Sequence, residues 1–216
     1  MTLFRALWQL GLFLVLALVL RRWSIVVILA GLPALAWPRA IPAAAVLSDI
    51  ALGNIHVLLG AVAVFGLRWP ALWSVALLSK VTPGIGLVWF VARREWRNLA
   101  IALGATALVA ALSFAYRPAD WTDWIDFLIA NRDHQFPLWT IPVPLAVRLV
   151  MSAALLWWGG RTDRAWVVPI AVGWAIPVPY WTMLAVMVFA LPLAGGGRPA
   201  DTRILTPGTH ETDPGP

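Results

Sequence analysis

The chain has no cysteine in its 216 residues. Disulfides, thiolate metal sites and a cysteine nucleophile are therefore excluded. Charge is scarce: charged residues are 12% of the sequence against 61% hydrophobic, and the mean hydropathy is +0.81. No soluble domain of this length tolerates that balance. G-x-S-x-G, H-E-x-x-H, Walker A and G-x-G-x-x-G motifs are all missing, so none of the familiar soluble catalytic or nucleotide-binding devices is available.

Long apolar runs are what the sequence has in plenty: Thr2–Leu20, Ser24–Pro38, a stretch centred on Ile55–Leu67, Trp69–Ala92, Leu99–Tyr116, Ile141–Gly159 and Ala165–Leu193. Since about 20 residues cross a bilayer as a helix, they predict an all-α, polytopic transmembrane bundle of about seven to nine membrane segments, some short or broken. The runs are continuously apolar rather than alternating, which argues against a β-barrel. Many of the 15 tryptophans stand near run ends, as at a bilayer interface. Residues 1–194 read as one transmembrane domain of a multi-pass plasma-membrane protein. Residues 195–216 lack apolar periodicity and read as a disordered cytoplasmic tail. The first run is stopped by Arg21–Arg22 without a small-residue cleavage site, so it reads as a retained helix rather than a signal peptide.

Two runs carry helix breakers. Pro83–Gly84 interrupts Trp69–Ala92, giving either one kinked span or two half-helices meeting in the membrane, and Pro177 with Pro179 divides Ala165–Leu193. The formal charge of +6 comes mainly from arginines in short connections, a topological pattern rather than a nucleic-acid surface. If the chain reverses at Lys80–Gly84, then Arg21, Arg22, Arg68, Arg93, Arg94, Arg97, Arg161, Arg164, Arg198 and Arg203 are cytoplasmic, and only Arg5, Arg39, Arg117 and Arg132 lie outside. A single span gives a weaker bias, so the reversal is favoured. It places Ala40–Asn54, the Lys80 turn, Arg117–Gln135 and Pro177–Trp181 on the outer face.

Lys80, in the segment SKVTPG, is a cation inside an apolar run, and intramembrane charge is costly unless used. Arg148 is similar: it lies seven residues into Ile141–Gly159, about 10 Å deep at the helical rise. Two unpaired cations in the outer half of a membrane call for an anion, and a lipid phosphate is the one at hand. Snorkelling to the interface is the plainer alternative. Asp49 precedes Asn54 and His56; it reads either as a general base at a membrane entrance or as the cap of a helix beginning at Ile50. His56 reads as a structural hydrogen-bonding residue. In the outer segment, Trp121, Trp124, Ile125 and Leu128 form one stripe of a short amphipathic helix and Asp120, Asp123 and Asp126 another. Spacing of three sets those carboxylates on neighbouring turns, within reach of one divalent cation, but the face reads as solvated, and no metal site or cofactor is expected.

The order of features from Gly53 to Trp96 resembles glycosyltransferase family 87, the polyprenyl-phosphate-mannose-dependent membrane mannosyltransferases. A G-[QN]-x-N-like start, an apolar helix, a short basic turn, a helix ending in K-x-[ST]-P and an Arg-rich turn are matched by Gly53, Asn54, Lys80, Thr82, Pro83, Arg93, Arg94 and Trp96. IPVPYWTMLAVMVFALPL is similar to the family's closing Pro-aromatic segment, with Tyr180 and Trp181 where a histidine is often expected. The resemblance spans about Asp49 to Leu193. It implies a GT-C-type fold and transfer of a hexose, such as mannose, from a polyprenyl-phosphate donor to a lipid or glycan acceptor at the outer face, with no nucleotide site and no nucleic acid. Lys80 and Arg148 would hold the lipid phosphate, Asn54, His56, Thr82, Pro83, Tyr180 and Trp181 would support the site, and an outer carboxylate would activate the acceptor. Such enzymes carry that acid in a large first outer loop, whereas the first connection here is the short Arg21–Trp23. The expectation is therefore a chain lacking that portion, with Asp49 as the substitute acid, or a lipid-binding half without catalysis. A transporter or flippase built on the broken helices and a non-catalytic membrane subunit are the rival readings.

Overall fold

The computed structural model describes residues 2–20, 41–130, 143–177 and 183–194. The Arg21–Trp23 connection, the run Ser24–Pro38 and the tail from residue 195 lie outside them. Every regular element among the described residues is helical: α1 (Thr2–Leu20), α2 (Ile41–Leu52), α3 (His56–Phe65), a 3-10 turn (Pro70–Leu72), α4 (Trp73–Ser79), a second 3-10 turn (Thr82–Leu87), α5 (Val88–Arg93), α6 (Trp96–Tyr116), α7 (Pro118–Ala130), α8 (Leu145–Arg161), α9 (Val167–Trp174), α10 (Leu184–Met187) and α11 (Ala190–Ala194). Two are long and apolar enough to cross a membrane, α1 through Leu3–Leu20 and α6; α2 and α3 would make a third if their 113° bend divides one span. Among the described residues, the runs Trp69–Ala92 and Ala165–Leu193 are cut into shorter helices, whereas Ile141–Gly159 gives the single helix α8.

The cuts follow the breakers. Helix α4 stops at Ser79, Lys80 is extended at φ −148° and ψ 114°, and Pro83 enters the next 3-10 turn, where its missing N–H costs nothing. Beyond this point the chain doubles back. A methyl group added at Gly84 would strike the Leu77 side chain, and one at Gly86 the Trp73 indole. Pairing 77 with 84 and 73 with 86 is the register of two antiparallel segments around a turn at Lys80, a geometry that favours the reversal over the single kinked span. The glycines permit this close approach. The second break repeats the device: α9 ends at Trp174, and Gly173 lies against Met187 and the Met183 carbonyl, so α9 faces the chain that returns from residue 183.

These reversals give the bundle two unlike ends. Helix α3 runs from His56 toward Arg68, α5 runs from the Lys80 turn toward Arg93, and Gly160 at the end of α8 packs against Ala92. Arg68, Arg93, Arg94, Arg97, Arg161 and Arg164 therefore gather at the end remote from Lys80. Arg68, Arg93 and Arg164 stack on Trp69, Trp89 and Trp158 at 5.2, 5.3 and 4.9 Å from the ring centroids, and Arg93 also binds Glu95 at 2.6 Å and Asp163 at 2.5 Å. Arginine on an aromatic ring suits the membrane–water boundary, where one side of the pair is apolar and the other wet.

This geometry predicts a labelling pattern. The chain is free of cysteine, so single Arg68→Cys, Arg94→Cys and Tyr116→Cys variants can be treated in intact cells with a membrane-impermeant thiol reagent. Arg68→Cys and Arg94→Cys are expected to be protected together and Tyr116→Cys to label. Labelling of Arg68→Cys alongside protection of Arg94→Cys would mean that the chain crosses at Lys80.

Two apolar clusters hold the bundle together. One joins α3, α4, α5, α8 and α9 around Trp73, Phe90, Leu156 and Val168; the other joins α1, α2, α3 and the segment Ala185–Phe189 around Leu16, Val46, Val57 and Phe189. Ala40–Asn54, read from the sequence as an outer connection, is for the most part α2, with Ala45, Val46 and Ile50 in this interior. Its few long apolar side chains and the early Pro42 hide a 12-residue helix from a search for spans. Helix α7 forms where the amphipathic stripe is, with no residue buried. Its Trp121 donates to the Ser113 hydroxyl at 3.2 Å and meets Phe114 and Trp124 edge-on.

Candidate functional site

The junction of α2 and α3 is built by a short turn. Gly53, at φ +73°, takes the left-handed conformation that ends helices and that other residues adopt only at a cost. Its N–H donates to the Ile50 carbonyl at 3.0 Å, and that of Asn54 to the Asp49 carbonyl at 2.9 Å. Helix α1 closes the same turn from the side: the Arg5 guanidinium and the Gln9 amide each donate to the Ala51 carbonyl at 2.9 Å, and the Trp8 indole to the Gly53 carbonyl at 2.9 Å. These contacts satisfy carbonyls that α2 leaves open at its end.

The sharp bend lays His56 beside Asp49. Asp49 Oδ1 lies 2.7 Å from His56 Nδ1, and Oδ2 accepts the Val57 N–H at 3.0 Å. Asp49 is thus not the cap of a helix at Ile50. It lies inside α2 and serves the first turn of α3, where helix N–H groups favour a negative charge. His56 Nε2 lies 3.1 Å from Lys80 Nζ. An ammonium has donors and no acceptor, so Nε2 must accept, which leaves the imidazole proton on Nδ1 for donation to Asp49. Asp49 is wholly buried, His56 is 5% exposed and Lys80 is partly exposed. Carboxylate, neutral imidazole and ammonium form one line from the interior outward, and its formal charges cancel.

This corrects one expectation. Lys80 is not an unpaired cation, because its charge is answered by Asp49 through the ring. His56, read as a structural hydrogen-bonding residue, is the bridge between them. Lys80 is the one lysine of the sequence, and Asp49 and His56 stand seven residues apart across a turn glycine; those two facts were the signals available.

Arg148 differs from the sequence expectation more sharply. It is 2% exposed, and four of its N–H groups are taken by backbone carbonyls: Nε donates to Val143 at 3.2 Å, Nη1 to Trp174 at 3.1 Å and Ile176 at 2.8 Å, and Nη2 to Pro177 at 3.0 Å. Three of those carbonyls close the end of α9 at the second break. A half-helix ending at membrane depth exposes carbonyls that lipid cannot satisfy, and a cation at a helix C-terminus is favourable in itself. Far from being unpaired, Arg148 is the cap of α9. Arg148→Met is expected to lower stability by about 3 kcal/mol or more, since each buried acceptor left alone costs roughly 1–3 kcal/mol. Thermal unfolding of the detergent-solubilised protein measures it, and a change of under 1 kcal/mol would deny the capping role.

Of the other expected site residues, Thr82 opens the turn after Lys80 and its hydroxyl is buried with no hydrogen-bond partner among the described residues. Pro83 is buried in the same turn, and Asn54 is half-buried beside the Asp49 carbonyl it binds. Tyr180 and Trp181 lie outside the described residues. Asp120 pairs with the exposed Arg117 at 3.1 Å; Asp123 and Asp126 are exposed. No three His, Asp or Glu side chains among the described residues are grouped to hold a metal ion.

The family model of glycosyltransferase family 87 matches residues 1–205. The match takes in α1 and the residues ahead of Asp49, where the resemblance read from the motifs began. No curated protein and no solved structure matches the chain.

Proposed function

The chain belongs to glycosyltransferase family 87, a family of membrane glycosyltransferases, and on that premise we propose that it transfers a hexose, with mannose the first candidate, from a polyprenyl-phosphate carrier to a lipid or glycan hydroxyl at the outer face of the plasma membrane. The observation that supports this reading is the Asp49–His56–Lys80 line. It offers a cation at its outer end and a buried carboxylate behind it, the two kinds of group that glycosyl transfer from a phosphodiester needs.

In this reaction the acceptor oxygen forms a bond to the anomeric carbon as the bond to the phosphate oxygen breaks. The electron pair leaves with the polyprenyl phosphate, whose charge grows, and the acceptor hydroxyl gives up a proton. Lys80 is the group for the growing phosphate charge, because a preorganised cation in a dry site stabilises it far better than water does. The Thr82 hydroxyl supplies a further hydrogen-bond donor from the same turn. Asp49 supplies the negative charge that makes proton uptake in the site favourable. Arg148 contributes by holding the end of α9 in place, a positioning role that replaces the direct phosphate contact expected from sequence.

The test is the purified protein in lipid nanodiscs with polyprenyl-phospho-mannose and a panel of lipid and glycan acceptors. Release of polyprenyl phosphate together with a mannosylated product is the expected result. Passage of intact donor lipid across a vesicle membrane without cleavage would replace this reading with transport.

A further inference from the structure

We infer that His56 Nε2 is the atom that takes the acceptor proton, and that Lys80 caps it until a lipid phosphate arrives. This deepens the reading above and rests on it.

Asp49 cannot do the task directly: it is wholly buried, one oxygen is held by His56 Nδ1 and the other by the Val57 N–H. The ring stands between the carboxylate and the outer end of the line, and its Nε2 lone pair points at Lys80. Nitrogen has one lone pair there. While the ammonium occupies it, no hydroxyl proton can enter.

Lys80 occupies the extended residue between α4 and the 3-10 turn, at the tip of the hairpin, and is partly exposed. A phosphate monoanion is a stronger partner for an ammonium than a neutral imidazole, since it adds the attraction of a full opposite charge at contact distance to the hydrogen bond. Donor binding therefore draws Nζ off Nε2. The charge that Lys80 gave to Asp49 then moves with it to the phosphate, and Nε2 is no longer held by the ammonium. On transfer, the hydroxyl proton goes to Nε2, Nδ1–H stays on Asp49, and the imidazolium forms beside its carboxylate. The arrangement imposes an order: donor first, acceptor activation second. A hydroxyl meeting the empty site, water included, finds the base occupied.

The experiment uses the full chain in nanodiscs with ¹⁵N-labelled histidine, the His56 signals being assigned by their loss in His56→Gln, and polyprenyl monophosphate as the probe. The expected result is a shift of the His56 Nε2 resonance on saturation with the probe. In Lys80→Met the resonance should already be displaced from its wild-type position and should not respond. In parallel, His56→Gln should bind polyprenyl monophosphate within about threefold of wild type while its turnover falls about 10²–10⁴-fold, the usual worth of a general base. Binding of the probe through Lys80 with an unmoved Nε2 resonance, or near-normal turnover in His56→Gln, overturns the inference and leaves the glycosyltransferase reading standing. Absence of polyprenyl monophosphate binding in the wild type removes both.

Discussion

Lys80→Met is expected to bind polyprenyl phosphate roughly 30- to 5000-fold more weakly than the wild type and to show no measurable hexose transfer. Truncating one partner of a buried, hydrogen-bonded charge pair costs about 2–5 kcal/mol, and 1.4 kcal/mol is tenfold in affinity. Methionine keeps the length of the side chain and suits the apolar run, so membrane insertion should be unaffected. Asp49 also keeps both of its hydrogen bonds, from His56 Nδ1 and the Val57 N–H, which protects the fold around it. Lys80→Arg is the companion variant. It restores charge but offers a planar fork where a compact ammonium fits against the ring nitrogen, so partial recovery of binding with poor turnover is expected. Equilibrium binding of the lipid to purified protein in nanodiscs is the measurement. Wild-type affinity in Lys80→Met would end the assignment of this residue to the phosphate.

The second large effect is on the reaction and not on donor binding. Asp49→Asn should leave polyprenyl-phosphate affinity within about tenfold of wild type and lower transfer about 10⁴-fold. An asparagine can keep the Val57 N–H on its oxygen only by turning its NH₂ toward His56 Nδ1. That nitrogen must then accept, the ring proton moves to Nε2, and two donors face each other at Lys80. A carboxylate-to-amide change behind a catalytic histidine costs about 10⁴ in the Ser-His-Asp proteases for the same reason, the wrong tautomer. Initial rates with saturating donor decide the matter. Turnover that survives the substitution would move the catalytic acid elsewhere, with Asp120, Asp123 and Asp126 of α7 the next residues to replace.

The sequence made parts of this legible because local chemistry sets them. Thr2–Leu20 is one uninterrupted apolar run and becomes α1 with the same limits; the Trp121, Trp124, Ile125 and Leu128 stripe becomes α7; Pro83 and Gly84 mark the break where the chain turns back. What could not be read was pairing over distance. Lys80 is 24 residues from His56, and the carbonyls that Arg148 caps on α9 are 26 to 29 residues from it. Each cation, seen alone in its run, looks unpaired. Backbone carbonyls carry no signature in a sequence, so a guanidinium that satisfies them cannot be told in advance from one that awaits a ligand. Helix α2 was hidden for another reason: it is short and bent 113° from α3, so it matches neither a span nor a loop by length.

The hairpin around Lys80 also bears on how the protein is made. Its second half, the turn Thr82–Leu87 with α5, packs on α8 and α9, which the ribosome delivers only after α6 and α7. During that interval the turn has no protein on that side, and backbone groups facing lipid cost several kcal/mol each. The hairpin is therefore expected to wait at the insertion machinery or near the headgroups while α6 is made, and to seat itself when Leu145–Trp174 arrives. A stalled nascent chain ending before α8 should accordingly hold Lys80 in a water-accessible setting, and release past α9 should withdraw it, so that the Lys80 turn is seated only after chain far downstream of it has been made.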